Sequence, residues 1–192
     1  MTIRKSITVS EQLAIGKNLK LESDGGDYTI TLSYADDSPI SVAGTDASHK
    51  VTLTVENAVG TLTFDGNGVS RSKALINASF ANVTLGKGVT VQNALNSANG
   101  GVLYLENGSI ASLNDGVILQ DNKAKLGSVA YIKNGQILAY ECQIGRDGHP
   151  NHATSNAAIY LASGNLHLYD GAKLSYNTSA SSGAAIYSTG IS

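Results

Sequence analysis

The sequence has no tryptophan, two phenylalanines, two prolines and one cysteine in 192 residues. A lone cysteine, Cys142, excludes an internal disulfide and a cysteine-pair zinc or redox motif, so we expect it to be a small buried apolar residue. No apolar run reaches the roughly 18 residues that a membrane-spanning helix needs. The N-terminal residues also lack the apolar stretch of a signal peptide. We therefore predict no membrane insertion.

Charge is scarce as well. The chain has 13 Lys and Arg against 15 Asp and Glu, which gives a formal net charge of −2. Its three arginines, Arg4, Arg71 and Arg146, are too far apart in sequence to indicate a basic stripe. Because nucleic-acid binding depends on clustered positive charge, we do not expect a nucleic-acid partner.

Glycine and tyrosine are abundant, with 21 and 9 residues, beside many Val, Ile, Leu, Thr, Ser and Asn. β-Branched and aromatic residues suit a pleated sheet, whereas Gly and Asn tolerate the left-handed backbone of tight corners. Signals for helix starts and ends are nearly absent. The composition therefore predicts an all-β chain of short strands and turns.

One short motif recurs along the chain. ALINAS at residue 74, GVLYLE at 101, SVAYIK at 128, AAIYLA at 157 and AAIYST at 184 align at intervals of 27, 27, 29 and 27. A fixed period of this length indicates a repeat architecture. Two longer steps, of 36 and 33 residues, extend the same pattern back to residue 7.

Apolar pairs predict three strand columns in each coil. The first column continues backwards through Ile76/Ala78, Ile40/Val42 and Ile7/Val9. The second contains Leu19/Leu21, Val51/Leu53, Val83/Leu85, Ile110, Ile137 and Leu166/Leu168. The third contains Ile30/Leu32, Leu62/Phe64, Val89/Val91, Val117/Leu119, Ile144 and Leu174.

Three short strands in each period predict a parallel β-helix, a solenoid of about six to seven coils with roughly 27 to 33 residues each. We predict a single domain over residues 1–192. Its coils are irregular with longer loops over residues 1–73 and regular over 74–192. The last stretch, AAIYSTGIS, starts a further coil, so we expect the chain to be a fragment of a larger protein.

The first column also has a predicted inside and outside. Charged residues such as Glu106 and Lys133 mark the solvent face. Side chains alternate along a strand, so the residues two positions away lie on the same face. This alternation predicts an external row of four tyrosines, Tyr104, Tyr131, Tyr160 and Tyr187.

Corners and insertions complete the coils. Asn93, Asn122 and Asn177 fall near equivalent corners, where stacked amides hydrogen-bond to one another. Longer inserts predict loops, in which side chains are released from the demands of the repeat. These inserts lie at residues 34–39, 44–50, 65–73 and 145–156.

The stretches KSITVSEQLAIGKNLKLESDGGDYTIT and GTLTFDGNG, followed by coils of the form G-[GA]-x-[IL]-Y-x-x-x-G-x-[LI], resemble the right-handed parallel β-helix regions of bacterial surface proteins. These regions belong to the pectate-lyase-like superfamily and are common in Gram-positive cell-wall-anchored adhesins. The resemblance covers essentially the whole chain. It implies a right-handed β-helix, export and attachment to the cell wall through regions outside this chain.

Enzymes on this fold need grouped carboxylates, and glycoside hydrolysis needs two. The candidates are scattered: Asp36 and Asp37 adjoin in a predicted turn, while Asp115 and Asp170 occupy predicted corner positions. We therefore predict no catalytic residues and a non-enzymatic chain. A polysaccharide lyase or glycosidase is the first alternative, and a purely structural spacer is the second.

Two sets of residues are candidate ligand-binding sites. The first is the tyrosine row, because exposed aromatic rings contact sugars and partner proteins; mutual stacking that stiffens the sheet is the competing interpretation. The second is Arg146, Asp147, His149 and His152 in the 145–156 insert. His-x-x-His with an aspartate is a metal-binding pattern, but a solvated loop explains it better. We predict no metal and no cofactor.

The function expected from the sequence is a non-enzymatic adhesion or presentation module of a secreted bacterial protein. Its partner would be a glycan or a surface protein of a host or microbe, bound by many weak contacts. We expect an extracellular, cell-surface location and a monomeric module within a longer chain.

Overall fold

The computed structural model describes residues 1–190, and that range contains strands and no helix. The strands stack in parallel as a β-solenoid of about six turns with roughly 28-residue spacing, which confirms the predicted all-β solenoid. In chain order they are β1 (Thr2–Ile3), β2 (Ile7–Val9), β3 (Leu13–Ile15), β4 (Leu19–Ser23), β5 (Tyr28–Leu32), β6 (Ile40–Ala43), β7 (Val51–Val55), β8 (Leu62–Asp65), β9 (Ser70–Arg71), β10 (Ile76–Ser79), β11 (Ala81–Leu85), β12 (Val89–Gln92), β13 (Leu95–Asn96), β14 (Leu103–Glu106), β15 (Ser109–Leu113), β16 (Ile118–Gln120), β17 (Lys123–Leu126), β18 (Ala130–Ala139), β19 (Gln143–Ile144), β20 (His152–Asn156), β21 (Ile159–Leu168), β22 (Lys173–Leu174), β23 (Thr178–Ser179) and β24 (Ile186–Ser188).

The strands form four columns along the solenoid. Column 1 contains β3, β6, β10, β14, the first part of β18 and β21, and β24. Column 2 contains β1, β4, β7, β11, β15 and the later part of β18 and β21. Column 3 contains β2, β5, β8, β12, β16, β19 and β22, and column 4 contains β9, β13, β17, β20 and β23. Because β18 and β21 run through columns 1 and 2, these two columns form one sheet.

The predicted period is confirmed in column 1. Ile76 pairs with Leu103, Leu103 with Ala130, Ala130 with Ile159 and Ile159 with Ile186. Ile76 also pairs with Ile40, which confirms the longer step of 36 residues.

The prediction that Ile7 and Val9 belong to column 1 is wrong. Ile40 pairs with Leu13, and Ile7 pairs with Ile30 in column 3. The stretches Ile7–Val9 and Leu13–Ile15 are both apolar at their first and third residues, so alternation alone cannot distinguish them. The coil step is therefore 27 residues, as in the later coils.

Registers in columns 2 and 3 also differ from the prediction. Leu19 pairs with Leu53, and Ile30 pairs with Phe64. Each observed partner lies two residues from the predicted one. The sequence pattern cannot distinguish these registers, because a two-residue slip leaves every side chain on its original face. In column 2, Ala111 and not Ile110 pairs with Ile137 and lies in the core.

Column 4 was missed, since the sequence predicted three strands in each coil. Its five strands are two to five residues long and lack a clear apolar alternation. Residues His152–Asn156 form β20 and pair with β17 and β23, so the insert at 145–156 is a loop only as far as residue 151. Likewise, Ser70–Arg71 forms a strand within the predicted loop at 65–73.

The corner between columns 3 and 4 carries an asparagine ladder, formed by Asn122, Asn151 and Asn177. Asn122 Nδ2 donates to Asn151 Oδ1 at 3.0 Å, and Asn151 Nδ2 donates to Asn177 Oδ1 at 2.9 Å. Asn93 does not belong to this ladder: Ala94 occupies the equivalent position, and its N–H donates to Asn122 Oδ1. Asn93 has a φ of 56° and donates to Asp65 instead.

Inward-facing residues of the columns form one continuous apolar core. Leu53, Leu85, Leu103, Leu113 and Leu119 are fully buried in it. At the C-terminal end the core opens, and Leu168 and Ile186 are 46% and 40% exposed.

The chain end begins a further coil, as the sequence predicted, because β24 starts a new column 1 strand. Residues 191 and 192, which belong to the predicted final stretch, lie outside the described residues. None of the described residues belongs to a helix that could cross a membrane.

Cys142 is 1% exposed within the core, as predicted, and burial raises the pKa of its thiol to about 11. We expect the folded chain not to react with a thiol-specific reagent at pH 8, and to react fully once unfolded in guanidinium chloride, because the thiolate is the nucleophile. The raised pKa contributes to stability below the ordinary thiol pKa, and this contribution is lost as pH rises towards 11. Rapid labelling of the folded chain, absent in a Cys142→Val control, would contradict this prediction.

Candidate functional site

The tyrosine ladder, formed by Tyr104, Tyr131, Tyr160 and Tyr187, runs along the outer face of column 1. Successive ring centroids lie 5.3, 5.2 and 5.3 Å apart, with interplanar angles of 14°, 7° and 23°. The rings are held in this stack because the four residues occupy paired register positions on successive strands. The predicted row on the outer face is therefore present.

The ladder is partly covered. Tyr160 is 9% exposed, and the other three rings are half-buried. Burial raises the pKa of Tyr104 and of Tyr131, and the nearby Glu106 carboxylate raises that of Tyr104 further. Since a phenol ordinarily titrates near pH 10, both hydroxyls are protonated at neutral pH and can donate hydrogen bonds.

Stacking determines which part of each ring a ligand can contact. Tyr131 and Tyr160 each have a stacked neighbour on both sides, so their faces are covered by other rings. Their edges and hydroxyls are what the ladder presents outward. The faces without a stacked neighbour belong to the two end rings, Tyr104 and Tyr187.

A cleft lies beside the end ring Tyr104. The residue in register with Tyr104 on the preceding coil is Asn77, and the next is Ser41, so the aromatic column stops there. Asn77 and Tyr104 line a space of about 290 Å³, which we call the Tyr104 cleft. Its lining residues are Ser38, Ser72, Lys73, Ala74, Asn77, Ala98, Asn99, Tyr104 and Glu106.

One wall of the Tyr104 cleft is held by buried Asn96. Its Nδ2 donates to the carbonyls of Asn99 and Gly100 at 3.0 and 2.6 Å, and its Oδ1 accepts from Ala98 N–H at 2.8 Å. Gly101, beside this wall, lies so close to the next coil that a Cβ there would be 1.9 Å from the Ser128 carbonyl oxygen. Hydrogen bonds within the chain therefore hold this wall in place.

Among the four candidate residues of the 145–156 insert, the two histidine side chains have different partners. His149 Nδ1 lies 2.8 Å from Asp121 Oδ2, whereas His152 Nδ1 lies 2.9 Å from Thr178 Oγ1. Arg146 and His149 are joined through their backbones, and Asp147 is exposed. Within residues 1–190 no three His, Cys, Asp or Glu side chains form a group that could hold a metal.

Sequence reasoning missed several residues of this region. Ser38, Lys73 and Asn99 lie in corners and inserts, where no periodic signal assigns a position. It also missed a second aromatic stack, in which the rings of Tyr140 and Tyr169 lie 4.2 Å apart at 5°. Their 29-residue spacing equals that of Tyr131 and Tyr160, and this signal could have predicted the pair.

Comparison of the chain with protein-family models, with curated proteins and with solved structures gives no match.

Proposed function

We propose that this chain is a non-enzymatic adhesion or presentation module of a bacterial cell-surface protein, with the tyrosine ladder as its contact ridge. Its ligand is a glycan or a surface protein of a host or microbe. The module is extracellular, monomeric and part of a longer chain that is anchored to the cell wall elsewhere, and nucleic acid is not a partner.

The observation that carries this proposal is the regular outward row of Tyr104, Tyr131, Tyr160 and Tyr187 on a rigid, continuously packed rod. Because tyrosine offers an apolar edge and a hydroxyl with little loss of side-chain entropy, tyrosines are frequent in protein interfaces. Side chains that recur at a regular separation suit a repeating ligand, since many weak contacts add to a useful affinity.

A glycosidase on the same fold has less support. Among the described residues that line the Tyr104 cleft, Glu106 is the one carboxylate. Glycoside hydrolysis ordinarily needs an acid and a second carboxylate on opposite sides of the bond. A single carboxylate beside an aromatic ring is more typical of binding than of hydrolysis.

A structural spacer is the second candidate, and the covered faces of Tyr131 and Tyr160 favour it. Parallel stacks of rings stabilise a sheet without contacting any ligand. The experiment must therefore remove the outward hydroxyls while leaving the stack in place.

Replacing all four ladder tyrosines with phenylalanine should reduce binding to the chain's glycan or cell-surface target by at least about tenfold, because each lost hydroxyl removes one hydrogen bond. The stack, and with it the melting temperature, should be nearly unchanged. Binding is measured with the purified chain on immobilised glycans and on cultured cells.

The matched control changes Tyr140 and Tyr169 to phenylalanine, since these rings also stack but lie away from column 1. It should bind like the unchanged chain. Equal binding by the fourfold variant and the control would refute the role of the ladder and favour the spacer.

A further inference from the structure

We propose that the Tyr104 cleft is a binding site for one neutral pyranose ring of a glycan. This inference deepens the proposed binding function by naming a ligand class and a position. The site lies at the end of the tyrosine ladder, where stacking leaves an aromatic face available and where small side chains leave space.

The free face of Tyr104 is the first element of the site. Tyr131 covers one side of this ring, and the opposite side faces the coil that carries Asn77. The C–H face of a pyranose is apolar and nearly flat, so it packs against an aromatic ring as another ring would. The ladder shows that this column accommodates rings stacked at about 5.3 Å.

The polar lining is the second element. The Ser38 hydroxyl is buried, lines the cleft and has no hydrogen-bond partner among the described residues. Because a buried hydroxyl without a partner is costly, it is a group that a ligand would satisfy. Asn77 and Asn99 add amide donors and acceptors of the kind that bind the hydroxyls at a sugar's edge.

Charge and size select the ligand. Lys73 and Glu106 contribute one positive and one negative charge to the lining, and neither forms an ion pair with a described residue. A ligand with a net charge is attracted by one of these two side chains and repelled by the other. An uncharged sugar therefore fits the cleft better. A volume of about 290 Å³ is near the lower limit for small-molecule sites, which suits a single ring.

The cleft can be tested by filling it. Asn77→Tyr places a fifth ring in register with Tyr104, so it should extend the stack, keep the fold and occupy the cleft. Asn165→Tyr is the matched control, because Asn165 is exposed on column 2. Lys73→Met is a second variant at an exposed position that removes one polar contact without filling the space.

The probes are methyl glycosides of glucose, galactose, mannose and N-acetylglucosamine, with glucuronic acid and glucosamine as charged counterparts. Saturation-transfer NMR measures their binding to the full chain. At least one neutral glycoside should bind in the millimolar range, at least about tenfold more weakly to Asn77→Tyr and a few-fold more weakly to Lys73→Met. Its binding to Asn165→Tyr should be unchanged.

Two results would overturn the inference: no binding of any neutral glycoside, whether or not charged sugars bind, or undiminished binding to a folded Asn77→Tyr chain. The fourfold phenylalanine variant keeps an aromatic face at position 104. It therefore tests the ridge separately. If a neutral glycoside binds and the fourfold variant adheres like the unchanged chain, the ridge is refuted and the cleft is supported. If no neutral glycoside binds and the fourfold variant adheres less than the unchanged chain, the cleft alone is refuted.

Discussion

Replacing Asn151 with alanine should lower the free energy of unfolding by about 3 kcal/mol, within a range of roughly 2 to 4. Asn151 is fully buried in the middle of the asparagine ladder. Its Oδ1 accepts from the Asn122 N–H at 3.1 Å, and its Nδ2 donates to the Leu119 carbonyl at 2.9 Å. The change leaves the buried Asn122 N–H without that acceptor and also creates a cavity.

The same contact recurs on three successive coils, which is why the effect should be large. The amides of Asn122, Asn151 and Asn177 donate to the carbonyls of Val91, Leu119 and Ile144, which are equivalent positions in column 3. Each asparagine therefore fastens the end of a column 3 strand to the next coil. A break in the middle removes bonds on both sides.

Guanidinium chloride unfolding of the variant measures this loss. Asn165→Ala is the matched control, since Asn165 is exposed, and it should change stability by less than about 0.5 kcal/mol. Asn151→Asp offers a second test. A buried carboxyl has a raised pKa, so its destabilisation should be smallest below the ordinary aspartate pKa of about 3.9 and should grow as pH rises. Two variants at position 151 as stable as the control would show that the ladder contributes little.

The sequence predicted the solenoid and its period because those properties depend on patterns that recur in every coil. Leu103, Ala130 and Ile159 share one motif, so an error at one coil is corrected by the others. The first coil had no such correction, and Ile7 was assigned to the place of Leu13. A register shift of two residues could not be detected from the sequence either, because the alternation repeats every second residue.

The site was only half predictable for the same reason. The tyrosine ladder follows from period and alternation, which place the side chain at Tyr131 outward without knowledge of the fold. The Tyr104 cleft instead depends on where the aromatic column ends and on which corners lie beside that end. That Asn77 lines the cleft can be inferred only once its register with Tyr104 is known. Ser38 lies 66 residues before Tyr104, and only tertiary structure brings both to one lining.

Changing Arg71 to methionine should be the most damaging single substitution, with a loss of about 3 to 5 kcal/mol in the free energy of unfolding. Arg71 is 3% exposed, and no described carboxylate forms an ion pair with it. Its guanidinium donates to four backbone carbonyls, those of Leu32, Tyr34, Gly66 and Val69. Burial lowers the pKa of Arg71 from its ordinary value, but an arginine stays protonated in proteins, so the charge remains and requires these acceptors.

The four carbonyls belong to two coils, so the Arg71 side chain links these coils. Leu32 is the last residue of the column 3 strand β5 and Tyr34 follows it, while Gly66 and Val69 follow the column 3 strand of the next coil, β8. Methionine fills similar space but donates no hydrogen bond, so most of these buried acceptors lose their partner. Arg71→Lys keeps the charge with fewer, differently placed donors and should lose an intermediate amount. Arg4→Met, at an exposed arginine, should be nearly neutral and controls for the loss of charge. If Arg71→Met unfolds at the same denaturant concentration as Arg4→Met, the four carbonyl contacts do not hold the two coils together.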